Sequence, residues 1–236
     1  MSLRSQCVTP PSSFNTPDEA SCLQAFDCPK CGLLSPWSNE LLSLREQVIT
    51  DPLTGLFNIR HFRSALEMEI ERTARTAIPT SLMMIDLDHF KQVNDVWGHE
   101  VGNQVLKLMA RLIKQVTRQL DIQCRYGGEE FVVILPSTNL LLASQVAERL
   151  LQQIEKSEIV TGDESFNVTA SIGLSVRLAH EHGGVSDLIK AADDCLYQAK
   201  SLGRNQVFFP SNDREEAAVS GDEKAALMGM FSDYQD

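Results

Sequence analysis

Basic residues are in short supply. Lys and Arg number 21 against 32 Asp and Glu, for a formal net charge of −11 at pH 7. So acidic a chain excludes general binding to nucleic acid or to anionic membranes, which both need basic surface. A single nucleotide held by a local cluster of Lys, Arg and metal stays open. Long apolar runs are missing too. No stretch reaches the ~20 residues that a membrane span needs. No charged-then-apolar segment of signal-peptide type opens the chain. There are six cysteines, Cys7, Cys22, Cys28, Cys31, Cys124 and Cys195. A chain of 236 residues, 43% hydrophobic, fills a core without disulfides, so a reducing, cytoplasmic setting is expected. There is no internal repeat and no block of like charge. One mid-sized domain with extensions fits these bounds.

Against that background one stretch stands out, Arg125-Tyr126-Gly127-Gly128-Glu129-Glu130-Phe131. Ile122 precedes it and Val132 to Leu135 follow, which reads as strand, tight turn, strand. Two glycines tolerate φ > 0 and leave bare backbone at the tip. Two adjacent carboxylates repel and call for a nearby cation. Taken alone, a solvated acidic hairpin is an equal reading.

Residues 1–33 have little periodicity, and Ser, Thr and Pro dominate from Thr9 to Pro17, so this arm reads as disordered. Cys28-Pro-Lys-Cys31 is half of a zinc knuckle. The reading taken is free cysteines, with zinc or redox chemistry as alternatives. Ser35-Pro36 signals a helix start. Leu34, Trp37, Leu41, Leu44 and Val48 then repeat at three and four, a short coiled-coil seam over residues 34–50 suited to self-association. Asp51 to Asn58 breaks that helix, with Asp and Thr available as caps. From residue 51 to 210 the pattern predicts α-β-α-β-β-α-β-α-β. Helix runs from about Ile59, strand from Ser81 to Leu87, helix from about Val101 to Val116, and then the hairpin. Helix from about Leu141 to Ile154, strand from Phe166 to Val176, helix from about Val185 to Ser201 and strand from Gln206 to Phe209 complete it. The fold class is α/β (α+β), a sheet flanked by helices. Residues 211–236 read as a flexible acidic tail.

The strand Ser81–Leu87 is continuously apolar, reads as central and closes on Asp86 and Asp88. If it neighbours the hairpin, Asp86 approaches Glu129 and Glu130. Oxygen ligands without His or Cys suit Mg²⁺ or Mn²⁺, which take few carboxylates and complete their shell with substrate phosphates. His89-Phe90-Lys91 offers a turn of backbone N–H groups and an ammonium to phosphate. Lys200 and Arg204 are further phosphate cations, or else surface residues complementing a helix C-terminus.

These stretches, with Asp51-Pro-Leu-Thr-Gly-Leu, Asp86 to Asp95, Gly98-His99-Glu-Val-Gly102 and Ala192 to Asn205, resemble the GGDEF family of diguanylate cyclases over residues 51 to about 209. The resemblance implies a nucleotidyl-cyclase, palm-like fold around a mostly antiparallel sheet, and condensation of two GTP into cyclic di-GMP with release of pyrophosphate. It implies metal ligation by Asp86, the Leu87 carbonyl and Glu129, with Glu130 nearer the attacking hydroxyl. Phe90 backbone, Lys91, Lys200 and Arg204 are expected to hold phosphates, Asn94 the guanine edge, and Gly127 and Gly128 to give the nucleotide room. The attacking hydroxyl belongs to GTP on a second protomer, so a homodimer is implied. The family's Asp at position 103 is here Asn103, which predicts weaker guanine binding and relaxed base choice. Arg118-Gln-Leu-Asp121 matches the family's inhibitory Arg-x-x-Asp site for cyclic di-GMP. The alternative function is a cyclic di-GMP-binding effector or scaffold with impaired catalysis. Residues 34–50 are also where a regulatory protein is expected to grip. His99, Cys124 and Cys195 read as packing residues.

Overall fold

In a computed structural model of the chain, residues 49–162 and 164–210 are described. The cysteine arm, the seam from Leu34 to Val48 and the acidic tail lie outside them. Eight strands and four helices follow one another within the described residues. They are β1 Phe57–Asn58, α1 Ile59–Thr76, β2 Thr80–Leu87, α2 Phe90–Val116, β3 Ile122–Gly127, β4 Glu130–Leu135, α3 Leu140–Lys156, β5 Glu158–Thr161, β6 Glu164–Asn167, β7 Ala170–Arg177, α4 Val185–Ser201 and β8 Val207–Phe208. Six strands form one sheet in the order β1-β3-β4-β2-β7-β8, and β5 pairs with β6 apart from it. β2 runs antiparallel to both β4 and β7, β3 antiparallel to β4, and the two outer pairings are parallel.

All eight residues of β2 are buried, which explains the unbroken apolar run. Alternation along the strand assigns the two faces. Met83, Ile85 and Leu87 join Phe131, Val133 and Leu135 beneath α2 and α3. Leu82 and Met84 join Val132, Ile134 and Cys124 beneath α1 and α4, with Phe62, Leu66, Leu188 and Leu196. Gly173 on β7 lets α4 lie directly on the sheet. A Cβ there would stand 2.2 Å from both the Ala192 carbonyl oxygen and the Leu196 amide nitrogen. The depth of α4 is therefore set backbone to backbone.

Four predicted features need correction. The helix after β2 begins at Phe90, not near Val101, and breaks at Gly98 (φ 80, ψ 163), a conformation that glycine adopts at no steric cost. The strand predicted over Phe166–Val176 is interrupted, with β6 ending at Asn167 and β7 starting at Ala170. β1 and β5 were not foreseen. The cap of α1 is Asn58, whose side chain accepts from the Arg60 and His61 amides at 3.1 Å. Asp51 and Thr54 instead close the turn before it, the Thr54 amide donating to Asp51 Oδ1 at 2.8 Å.

Candidate active site

The antiparallel register puts Asp86 of β2 directly opposite Glu130 of β4. The two strands stay joined to the tip of the hairpin, where the Leu87 amide donates to the Glu129 carbonyl at 3.4 Å. Asp86 continues the row Leu82–Met84 and so faces α4. Lys200, near the end of α4, reaches it with Nζ 2.9 Å from Oδ1. Burial pushes the Asp86 carboxyl up; Lys200 pulls it down, and Glu129 and Asp88 push it up again, leaving it above the ordinary range. Glu130 is likewise raised, by burial first and then by Asp86, Asp193 and Glu129, against the pull of Lys200. Carboxylates this crowded favour a cation among them.

Beside Glu130 the same face opens between α1 and α4 into a cavity of about 420 Å³. Arg63, Met84, Tyr126, Glu130, Lys190 and Asp193 are among its lining residues.

The hairpin turns tightly from Gly127 to Glu130, with a bulge between Arg125 and Gly127. Neither Gly127 nor Gly128 uses the left-handed backbone that glycine tolerates. What Gly128 contributes is space, since nothing lies within 4 Å of where its Cβ would be. Arg125 secures the tip. Its Nε and Nη2 donate to the Gly128 carbonyl at 3.1 and 2.8 Å, and its Nη1 to Asp51 Oδ1 and Oδ2 at 3.3 and 3.2 Å. Burial raises the Asp51 carboxyl, but hydrogen bonds from Thr54 and the Arg125 charge outweigh it, so Asp51 ends below its usual value. Sequence reasoning named both residues within motifs and missed their link.

Asp88 was named as closing β2, but its hydrogen bonds were not foreseen. It is only 5% exposed. It accepts from Thr169 Oγ1 at 2.8 Å, Ser171 Oγ at 2.7 Å and the Asn205 amide at 3.1 Å. These bonds tie the end of β2 to the start of β7 and to the loop after α4. Arg204 and Asn205 are left-handed there (φ 64 and 45), and the Arg204 amide closes onto the Ala199 carbonyl at 3.0 Å. Lys200 and Arg204 are thereby held at the Asp86 end of the sheet. At the same end α2 starts on left-handed His89 without a side-chain cap. The first-turn amides, Phe90 and Lys91 among them, thus form a helix N-terminus suited to an anion.

Asn94 and Asn103 flank the Gly98 break. Both are half-buried. Gly102 makes room for Asn94, because a Cβ there would lie 2.0 Å from Asn94 Oδ1 and 3.3 Å from the Phe90 ring. Arg118 and Asp121 close a turn after α2. The Arg118 amide donates to Asp121 Oδ2 at 2.6 Å and the Asp121 amide to the Arg118 carbonyl at 3.1 Å. Asp121 is 6% exposed, and burial raises its carboxyl despite the Arg118 hydrogen bond and charge. The Arg118 residue is exposed, with no ion pair among the described residues.

A comparison with protein families matches residues 48–206 to the model described as diguanylate cyclase, GGDEF domain. The chain belongs to the GGDEF family. The response regulator PleD of Caulobacter vibrioides is 42% identical over 171 residues, which is 72% of this chain and 37% of PleD. Diguanylate cyclase SiaD of Pseudomonas aeruginosa, solved in complex with its activator SiaC, is 39% identical. It superimposes with a TM-score of 0.67 over 74% of this chain and 66% of SiaD. The coiled coil and GGDEF domain of DgcB from Caulobacter crescentus, solved with c-di-GMP, is 28% identical. Its TM-score is 0.70 over 74% of this chain and 92% of that one. The chain spans 24–47% of the first curated relatives.

Among the described residues no three His, Cys, Asp or Glu side chains gather as a ready-made metal site. Asp86 instead holds a stand-in cation, the Lys200 ammonium. One or two carboxylates with substrate phosphates completing the shell is the habit of Mg²⁺ rather than of a metal caged by protein alone, so the residues fit it. No helix among the described residues is long and apolar enough to cross a membrane.

Proposed function

We propose that the chain is a diguanylate cyclase that condenses two GTP into cyclic di-GMP across a homodimer. The observation that carries this reading is the facing pair Asp86–Glu130 with Lys200 against it, at the root of the Gly127-Gly128 turn. Asp86, the Leu87 carbonyl and Glu129 would hold Mg²⁺ or Mn²⁺. That ion, when bound, supplies charge neutralisation at the α-phosphate and pyrophosphate and lowers the pKa of the attacking hydroxyl. Lys91, Arg204 and the first-turn amides of α2 cradle the triphosphate. Lys200 passes from Asp86 to phosphate as the substrate enters. Glu130 stands next to the attacking 3′-hydroxyl, which arrives on the other protomer's GTP. Orienting the two nucleotides supplies much of the rate. Asn94 and Asn103 meet the guanine edge. Arg118 and Asp121 take cyclic di-GMP as an inhibitor, the guanidinium clamping phosphate or guanine. A protein partner acting through residues 34–50 is the expected regulator, in keeping with the activator bound to SiaD.

Incubating the protein with Mg²⁺ and GTP, alone or with ATP, and identifying the products by mass tests this reading. Cyclic di-GMP is expected from wild type and none from Glu129→Ala, with cyclic di-GMP binding retained by that variant. Release of pyrophosphate without a cyclic dinucleotide would sink the proposal. Asn103 favours one second reading, an effector with impaired catalysis, because a neutral side chain gives up a charge-assisted bond worth about 1–2 kcal/mol. Asn103→Asp is expected to lower the KM for GTP about five- to thirtyfold on that figure. An unchanged KM removes Asn103 from base recognition. Arg118→Ala is expected to relieve product inhibition, and equal inhibition of variant and wild type refutes that site.

A further inference from the structure

The β5–β6 hairpin has no part in the chemistry above, yet it touches the base-recognition helix at a telling point. Phe166 of β6 stacks on Trp97 with ring centroids 5.0 Å apart and planes within 6°. Trp97 is the residue immediately before the Gly98 break in α2. Asn94 lies four residues before that break and Asn103 five after it, so the bend at Gly98 sets the spacing of the two carboxamides. Each carboxamide is half-buried and reaches the surface, where a ligand can meet it. Gly98 permits the bend through its left-handed backbone (φ 80) but has no side chain with which to brace it against neighbouring elements. Contacts that brace it include Asn94 against Gly102, Val93 and Val101 against the core, and Trp97 against Phe166. Phe166 is itself anchored, paired across the hairpin with buried Ile159. Both aromatic rings also pack against the core beneath α2 and α3.

We propose that Phe166 is a positioning residue for base selection: its ring, stacked on Trp97, fixes the bend at Gly98 and with it the spacing of Asn94 and Asn103. This rests on the reading that those two side chains meet the guanine edge. The triphosphate contacts are common to every nucleotide and lie at the other end of the first α2 segment. Loosening the bend therefore weakens guanine recognition selectively.

The test is titration calorimetry of the full chain, with Mg²⁺, against non-hydrolysable GTP and ATP analogues. A stacked aromatic pair contributes about two- to tenfold to an equilibrium constant beyond its buried area. Phe166→Ala is expected to raise the Kd for the GTP analogue by about that factor and to leave the ATP analogue within about twofold, so that base preference shrinks. Phe166→Leu, which keeps bulk without the ring, should do the same if the alanine variant loosens the fold. Phe166→Tyr should restore wild-type preference. Val160→Ser, on the exposed side of the same hairpin (65% exposed), should change neither Kd. Equal weakening of both analogues makes Phe166 merely structural and overturns the proposal. Affinities in Phe166→Ala and Phe166→Leu that match wild type overturn it while leaving guanine recognition intact. A wild-type protein that binds both analogues alike overturns the guanine-edge reading and this inference together.

Discussion

Asp88 lies two residues beyond Asp86 and has a different task. Its carboxylate accepts three hydrogen bonds from segments 81, 83 and 117 residues away in sequence. Asp88→Ala would strand the hydroxyls of Thr169 and Ser171 and the Asn205 amide. A loss of roughly 2–4 kcal/mol is expected from unmet buried partners, read as a lower urea midpoint at unchanged slope. The KM for GTP should rise as well, because Arg204 sits on the released loop. Unaltered stability would contradict the assignment. Two other carboxyls give opposite pH signatures. Asp51 is held below its ordinary value by Thr54 and Arg125 against burial. Its stabilising contribution is present above the unfolded pKa near 3.8 and is lost as pH falls through the folded value. Asp121 is raised, with burial as the largest cause. The folded state then binds its proton more tightly, so its contribution is largest below the unfolded pKa and is lost as pH rises through the folded one. Asp51→Asn should therefore destabilise at neutral pH, with the difference shrinking in acid. Asp121→Asn should stabilise at neutral pH, because the amide oxygen still accepts from Arg118 while the buried charge is gone. Urea denaturation from neutral pH down to about pH 2, below the ordinary carboxylate range, checks both signs. A pH-independent difference in either variant rules out titration as its cause.

At the scale of elements, the reach of Lys200 depends on how closely α4 lies on β7. Gly173→Ala would drive a methyl group into the Ala192 carbonyl and the Leu196 amide, neither of which can swing aside as a side chain could. A cost of about 1–3 kcal/mol is expected from overpacking, with a drop in cyclisation as Lys200 is displaced from Asp86. Full activity in Gly173→Ala would show that α4 has slack. The elements also show what the sequence could reveal. β2, β4, α3 and α4 were readable because each is long and strongly patterned. β1 has two residues, while β5 and β6 have four each around a turn, too few for a period to emerge. The start of α2 was obscured because Asn94, Asp95 and Gly98 look like a loop, and tertiary contacts override that preference. In the site, Asp86 and the two glutamates were legible from local spacing. The bonds of Asp88 and the Asp51–Arg125 pair were not, since a hydrogen bond across 74 residues or more leaves no local pattern.

For the molecule as a whole, the candidate active-site face of the described domain carries one facing carboxylate pair, with Lys200 against it. Under the proposed reaction, joining two nucleotides in a ring takes two such faces. Specific activity is therefore expected to fall on dilution through the dimer dissociation range. Removing residues 1–48 should move that fall to higher protein concentration, as measured by sedimentation alongside product formation. Activity per chain that stays constant at all dilutions would argue for a single-chain reaction. The sheet adds something about crowding. Its outermost strands, β1 and β8, are two residues long apiece. So short an edge offers little template for another chain to extend the sheet. Copies can thus be brought face to face at high local concentration with little risk of strand-to-strand aggregation, and solubility need not be sacrificed for encounter.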